Sequence, residues 1–91
     1  MATARSLRER ALDLLARREH SRAELARKLA PHAADREALD TLLDELARRG
    51  CLSDARFAEA LVHDRQARFG SVRLAHELRQ RGVPEDLIRE Q

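Results

Sequence analysis

Ninety-one residues, 43% of them apolar, suffice for one small domain or for two helical units that share an interface. Charged residues make up 37% of the chain, yet the formal net charge is only +2, so this is not a polycation that coats nucleic acid, and any electrostatic footprint must be local. The single cysteine, Cys51, excludes an internal disulfide and a cysteine zinc cluster and fits a reducing cytoplasm, while no apolar run approaches the roughly 20 residues of a membrane span.

Alanine and leucine dominate the apolar set, and the aromatics are Phe57 and Phe69 alone. The β-branched residues are few: Val62, Val72, Val83, Ile88, Thr3 and Thr41. A sheet lacks its usual material, whereas Ala and Leu suit closely packed helices. Met1 to Arg5 has no apolar stretch of the signal-peptide kind.

From about Ser6 to Arg18, Leu7, Ala11, Leu14 and Leu15 recur at i, i+4, i+7, i+8, the stripe of an amphipathic helix. Ser6 and Glu9 fit a capping box at its start. His20 and Ser21 interrupt the stripe, and Ser21-Arg22-Ala23-Glu24 reads as a second capping box, opening a short helix that carries Leu25 and Leu29 and closes at Pro31. Asp35 then caps a third helix with Leu39, Leu42, Leu43 and Leu46 on one face, acidic residues early, Arg48 and Arg49 late, and Gly50 beyond the end.

The pattern begins again. Ser53 or Asp54 caps a helix with Phe57, Ala58, Ala60, Leu61 and Val62 that runs to about Phe69 and ends at Gly70. Ser71 opens a short helix with Leu74, Ala75 and Leu78, ended by Gly82, and Pro84 stands at the first position of a last helix carrying Leu87 and Ile88. With a shift of about 50 residues the order of caps, breakers and lengths repeats, so the expected fold is all-α: tandem three-helix repeats over 1–50 and 51–91, the second cut short in its third helix.

Catalytic and metal chemistry finds no support in the spacing. His20, His32, His63 and His76 are not three or four residues apart, His20 and His32 read as solvent-facing turn residues, and Cys51 reads as a small buried hydrophobe. Gly50, Gly70 and Gly82 form no phosphate loop. The chain is expected to be a binding protein, not an enzyme, with no cofactor.

Charge placement is more informative. Arg5, Arg8, Arg10, Arg17, Arg18, Arg22, Arg27 and Lys28 make the first helical hairpin basic against Glu9, Asp13, Glu19 and Glu24. Arg65, Arg68, Arg73, Arg79 and Arg81 do the same for the second against Asp64 and Glu77, while the third helix is acidic. A solvated face with i, i+4 pairs such as Asp13 with Arg17 explains part of this. An anionic partner gripped by Arg forks is the sharper reading, with Arg22, Arg27, Lys28, Arg65, Arg68, Arg73, Arg79 and Arg81 as the candidate contacts. The acidic third helix argues against a helix-turn-helix reader of duplex DNA, because a recognition helix meets dense phosphate charge.

These segments resemble the RecX regulators of the bacterial recombinase RecA. Ala11-Leu12, the run Leu15-Ala16-Arg17-Arg18-Glu19-His20-Ser21-Arg22-Ala23-Glu24-Leu25, and Lys28-Leu29 are similar to that family's opening helix pair. Gly50-Cys51-Leu52-Ser53-Asp54-Ala55-Arg56-Phe57-Ala58 resembles its central junction, and Gly70 through Leu74, Glu77-Leu78 and Arg81-Gly82-Val83 its second short helix and turn. Cys51 stands where the family commonly has Tyr, and Ser53 where it commonly has an acid. The resemblance implies tandem three-helix units that lodge in the groove of the RecA–single-stranded DNA filament and inhibit its ATPase, strand-exchange and co-protease activities, limiting recombination and the SOS response. It further implies that such proteins usually carry three units, of which this chain would hold about the first half, and that no catalytic residues carry over; the protein is expected to be cytoplasmic and a monomer. The competing expectation is a helical protein that binds nucleic acid without sequence preference and without RecA.

Overall fold

Side-chain caps decide where the helices begin. In the computed structural model, which describes residues 5–65 and 70–91, the Ser6 hydroxyl accepts from the Glu9 amide at 3.0 Å and the Glu9 carboxylate accepts from the Ser6 amide at 3.2 Å, a complete capping box for α1 (Leu7–Arg17). Ser21 accepts from the Glu24 amide at 3.1 Å to start α2 (Arg22–Leu29), but only this half of the second expected box forms, because the Glu24 carboxylate turns toward two arginines. Pro31 sits in a 3-10 turn, Ala30–His32, and Asp35 accepts from the Ala38 amide at 2.8 Å to start α3 (Arg36–Arg48).

Ser53, not Asp54, caps α4 (Asp54–Arg65), accepting from the Arg56 amide at 3.1 Å. The expected extension of α4 to Phe69 falls on 66–69, outside the described residues. Gly70, expected to end the preceding helix, has φ −73° and is the extended N-cap residue of α5 (Ser71–Gln80). Pro84 stands one position earlier than expected, as the N-cap residue of α6 (Glu85–Arg89). Among the described residues these six α-helices are accompanied by no strand.

Two hydrophobic clusters form, and they do not merge. Leucines of α2 and α3 close around Ala11 of α1 and Leu52, with Leu7, Leu14 and Leu15 packed at the edge. Phe57, Ala58 and Leu61 of α4 meet Leu78, Val83 and Ile88 in the second cluster. Each fully buried leucine contributes roughly 1.5–3 kcal/mol relative to exposure, so the stripes read from the sequence are the main source of stability. Helices α1–α3 pack on one another and α4–α6 do likewise, giving an elongated body of 48 × 26 × 22 Å.

Polar contacts join the two units. The backbone N–H of Arg22, at the start of α2, donates to the Asp54 carboxylate at 2.8 Å, so the first turn of α4 satisfies an open donor of α2. Arg56 reaches back to the Glu19 carboxylate at 2.8 Å and to the Gly50 carbonyl at 2.7 Å. The turn at Gly82, with φ +80°, lies so close to α2 that a Cβ there would stand 2.3 Å from the Ala23 Cβ. Glycine is required twice over at this position: for its backbone angle and for the contact.

Candidate partner-binding surface

The junction that sets the two hairpins is built on residues 18–24. His20, expected at the surface, is instead 1% exposed, and Ser21 is fully buried. The chain leaving α1 is extended at Arg18, which turns His20 inward beneath α2. The imidazole Nδ1–H donates to the Arg18 carbonyl at 3.1 Å while Nε2 accepts from Lys28 Nζ at 3.0 Å; this pairing assigns the neutral ring with its proton on Nδ1. Burial pushes the His20 pKa below its ordinary value, and the nearby Arg18 and Lys28 charges act in the same direction.

Glu24, 6% exposed, is the second buried ionisable group. Arg18 grips it with a two-pronged fork, Nη1 to Oε1 at 3.1 Å and Nη2 to Oε2 at 2.6 Å, and Arg81 from the other unit adds a bond at 3.2 Å. Burial alone would raise the Glu24 pKa, but the Arg18 hydrogen bonds and charge, with smaller help from His20 and Arg81, bring it down to about 2. Ser21 completes the clamp: its hydroxyl donates to the Arg81 carbonyl at 2.5 Å while accepting from the Glu24 amide.

The cations expected to meet a partner divide into groups. Arg22 pairs with Asp44 at 2.7 Å, Arg65 with Glu77 at 3.0 Å, and Arg79 with Glu85 at 2.7 Å. Arg81 is held by Glu24 at 3.2 Å and Glu77 at 3.5 Å. Arg73 is exposed on α5, and Arg68 lies outside the described residues. Arg27 is exposed and has no ion-pair partner among the described residues. Lys28 donates to a neutral imidazole, which leaves its positive charge uncompensated.

The acidic face of α3 is likewise partly neutralised, Asp40 by Arg36, Asp44 by Arg22, and Glu45 by Arg8 and Arg49. The expected Asp13–Arg17 pair is not made: Asp13 is taken by Arg5. That substitution leaves Arg17 without a carboxylate partner among the described residues, and Arg10 is in the same position. Arg10, Arg17, Lys28 and His32 line one cleft of about 240 Å³ between α1 and α2. Arg10 and Arg17 were counted in the basic hairpin but not singled out. Their spacing of seven residues, two helical turns on one side of α1, is the signal that could have found them. No group of three or more His, Cys, Asp or Glu suited to a metal occurs among the described residues, and none of their helices is long and apolar enough to cross a membrane.

Two three-helix units, joined by ion pairs that include the buried Glu24, define a helical-repeat protein of the tandem three-helix class. Residues 8–51 match the model of the RecX first three-helix domain and residues 53–90 that of the RecX second three-helix domain. The chain is 56% identical over 81 residues to Regulatory protein RecX of Leptothrix cholodnii, covering 89% of this chain and 52% of that protein. It is 51% identical over 89 residues to the Chromobacterium violaceum protein of the same name, covering 98% and 59%, and 46% identical over 89 residues to that of Neisseria meningitidis serogroup B, covering 98% and 58%. The chain belongs to the RecX family. It spans just over half the length of these curated relatives.

Proposed function

We propose that this chain is a non-enzymatic regulator of the RecA recombinase, binding the RecA–single-stranded DNA filament in the cytoplasm and restraining its ATPase, strand-exchange and co-protease activities. The observation that carries the reading is the pair of successive RecX domains, which together take up residues 8–51 and 53–90. An elongated body 48 Å long and 22–26 Å across supports it, because a long, narrow shape suits the groove of a helical polymer. So does the clamped junction, which holds the two units in one orientation before binding and so reduces the ordering cost of association. Seated in the groove, such a body would exclude a second DNA strand and oppose the subunit rotations that accompany ATP turnover. Arg27 and Lys28, exposed on α2, are the candidate contacts, with Arg68 and Arg73 of the second hairpin; Arg22, Arg65, Arg79 and Arg81 would act chiefly by holding the shape.

The test is sedimentation of the chain with RecA filaments on single-stranded DNA, alongside the DNA-dependent ATPase. The chain is expected to co-sediment and to slow turnover less than the longer Chromobacterium violaceum relative does, since joint engagement of several units raises affinity steeply. Absence from the filament pellet at saturating protein, with turnover unchanged, would overturn the proposal.

A further inference from the structure

We infer that the cleft between α1 and α2 is a binding site for the phosphodiester backbone of a nucleic-acid strand, gripped by Arg10, Arg17 and Lys28. These three permanent cations converge on one concave surface of about 240 Å³ together with His32. The one carboxylate on its described lining, Asp13, is tied up by Arg5, so no free carboxylate among the lining residues competes for the site. Most other arginines lie within ion-pair distance of a carboxylate, which makes the uncompensated charge of this cleft a local feature, not a consequence of composition.

Regular charge favours phosphates over an acidic peptide. Arg10 and Arg17 stand two turns apart on α1, ~10.5 Å along its axis, with Lys28 presented from α2. A nucleic-acid strand carries a charge on every nucleotide, so three neighbouring cations each find a phosphate whatever the sequence. A peptide carries carboxylates only where its sequence places them, so meeting all three cations demands a particular acidic run. Guanidinium forks take phosphate oxygens in pairs. The lining includes Leu14 and Leu29 but no aromatic ring, so bases have nothing to stack on and the contact is indifferent to sequence.

The inference does not depend on the recombinase reading, and its test contains no recombinase. Fluorescence anisotropy of a labelled single-stranded oligonucleotide is measured with the 91-residue chain over a range of salt. Reversing two cleft charges, Arg10→Glu with Arg17→Glu, is expected to weaken binding at least tenfold and to flatten the slope of log affinity against log salt by about 1.4, the share of two phosphate contacts on a single strand. A charge-matched control, Arg48→Glu with Arg89→Glu on the exposed ends of α3 and α6, should stay within about twofold. If circular dichroism shows that the reversal disturbs the helices, Arg10→Gln with Arg17→Gln reports instead, with the same order of effect expected relative to Arg48→Gln with Arg89→Gln. Equal losses in the cleft and control variants would overturn the inference, as would no binding by the unaltered chain. Displacement of the oligonucleotide by polyglutamate at equal charge would assign the cleft to an acidic peptide and overturn it as well.

Discussion

The two three-helix units share one plan and spend their charge differently. In the first unit α3 is 13 residues long and buries four leucines, whereas its counterpart α6 has five described helical residues and buries Ile88. Among the described residues, the first unit leaves Arg10, Arg17 and Arg27 without carboxylate partners and Lys28 on a neutral ring; in the second, Arg65, Arg79 and Arg81 are bound to Glu77, Glu85 and Glu24. The lesson is that a count of arginines along a hairpin does not measure the charge it presents. A guanidinium paired with a carboxylate is an element of structure, while one left unpaired is available to a partner.

The largest effect should come from the better-filled core. Leu46→Ala, at a fully buried position, should cost about 3 kcal/mol, measured by urea denaturation. Because Glu24, Ser21 and Asp54 tie the units together, the loss should appear as a lower midpoint of a single transition. A two-step curve that retained the helix signal of α4 to α6 would break the claim that the units are coupled. Glu24→Gln addresses that coupling directly: it leaves the Arg18 fork half satisfied and releases Arg81, and should destabilise by about 2–3 kcal/mol.

The two left-handed glycines sharpen the comparison. Gly50 and Gly82 have nearly the same φ, 79° and 80°, but an added Cβ meets nothing at Gly50 and meets the Ala23 Cβ at Gly82. Gly50→Ala should therefore cost about 1 kcal/mol, for the backbone alone, and Gly82→Ala at least about 1 kcal/mol more. Adding Ala23→Gly should recover the second part only. Equal melting temperatures for the two single variants would mean that the turn does not press on α2.

Acid should act more gently, and through the first unit. His20 has a folded pKa below its ordinary 6.5, so the unfolded chain takes up this proton first. Its contribution to stability is complete above 6.5 and is lost as pH falls through the depressed folded value. Glu24 has the same sign at lower pH, its contribution fading between the ordinary 4.5 and about 2. His20→Gln should flatten the fall in melting temperature in the mildly acidic range while leaving the later decline in place. The smallest effect belongs to the exposed Arg36–Asp40 pair: Arg36→Ala should change stability by less than about 0.5 kcal/mol.

Much of this was legible in the residues. Leucine periodicity located the helical faces, Ser6, Ser21 and Asp35 marked three starts, and Gly50 and Gly82 two stops, because these signals act over one or two turns of chain. The second capping box forms only in its Ser21 half, for a reason the sequence could not display. Glu24 has a nearby backbone donor and two guanidiniums in reach, and charged forks hold a carboxylate more strongly than one amide does. His20 was misplaced for a related reason: its partners are Arg18 and Lys28, and only the fold of α2 over the loop brings Lys28 onto the ring.

The sequence by itself determined the class of fold, the number of helical segments and the repeat, all consequences of interactions between residues three or four apart. Tertiary structure alone decided which cations stay unpaired, since contacts such as Arg81 with Glu24 and Arg22 with Asp44 join residues distant in the chain. An ion pair depends on distance in space, and periodicity along a helix carries no information about which carboxylate a neighbouring helix will bring.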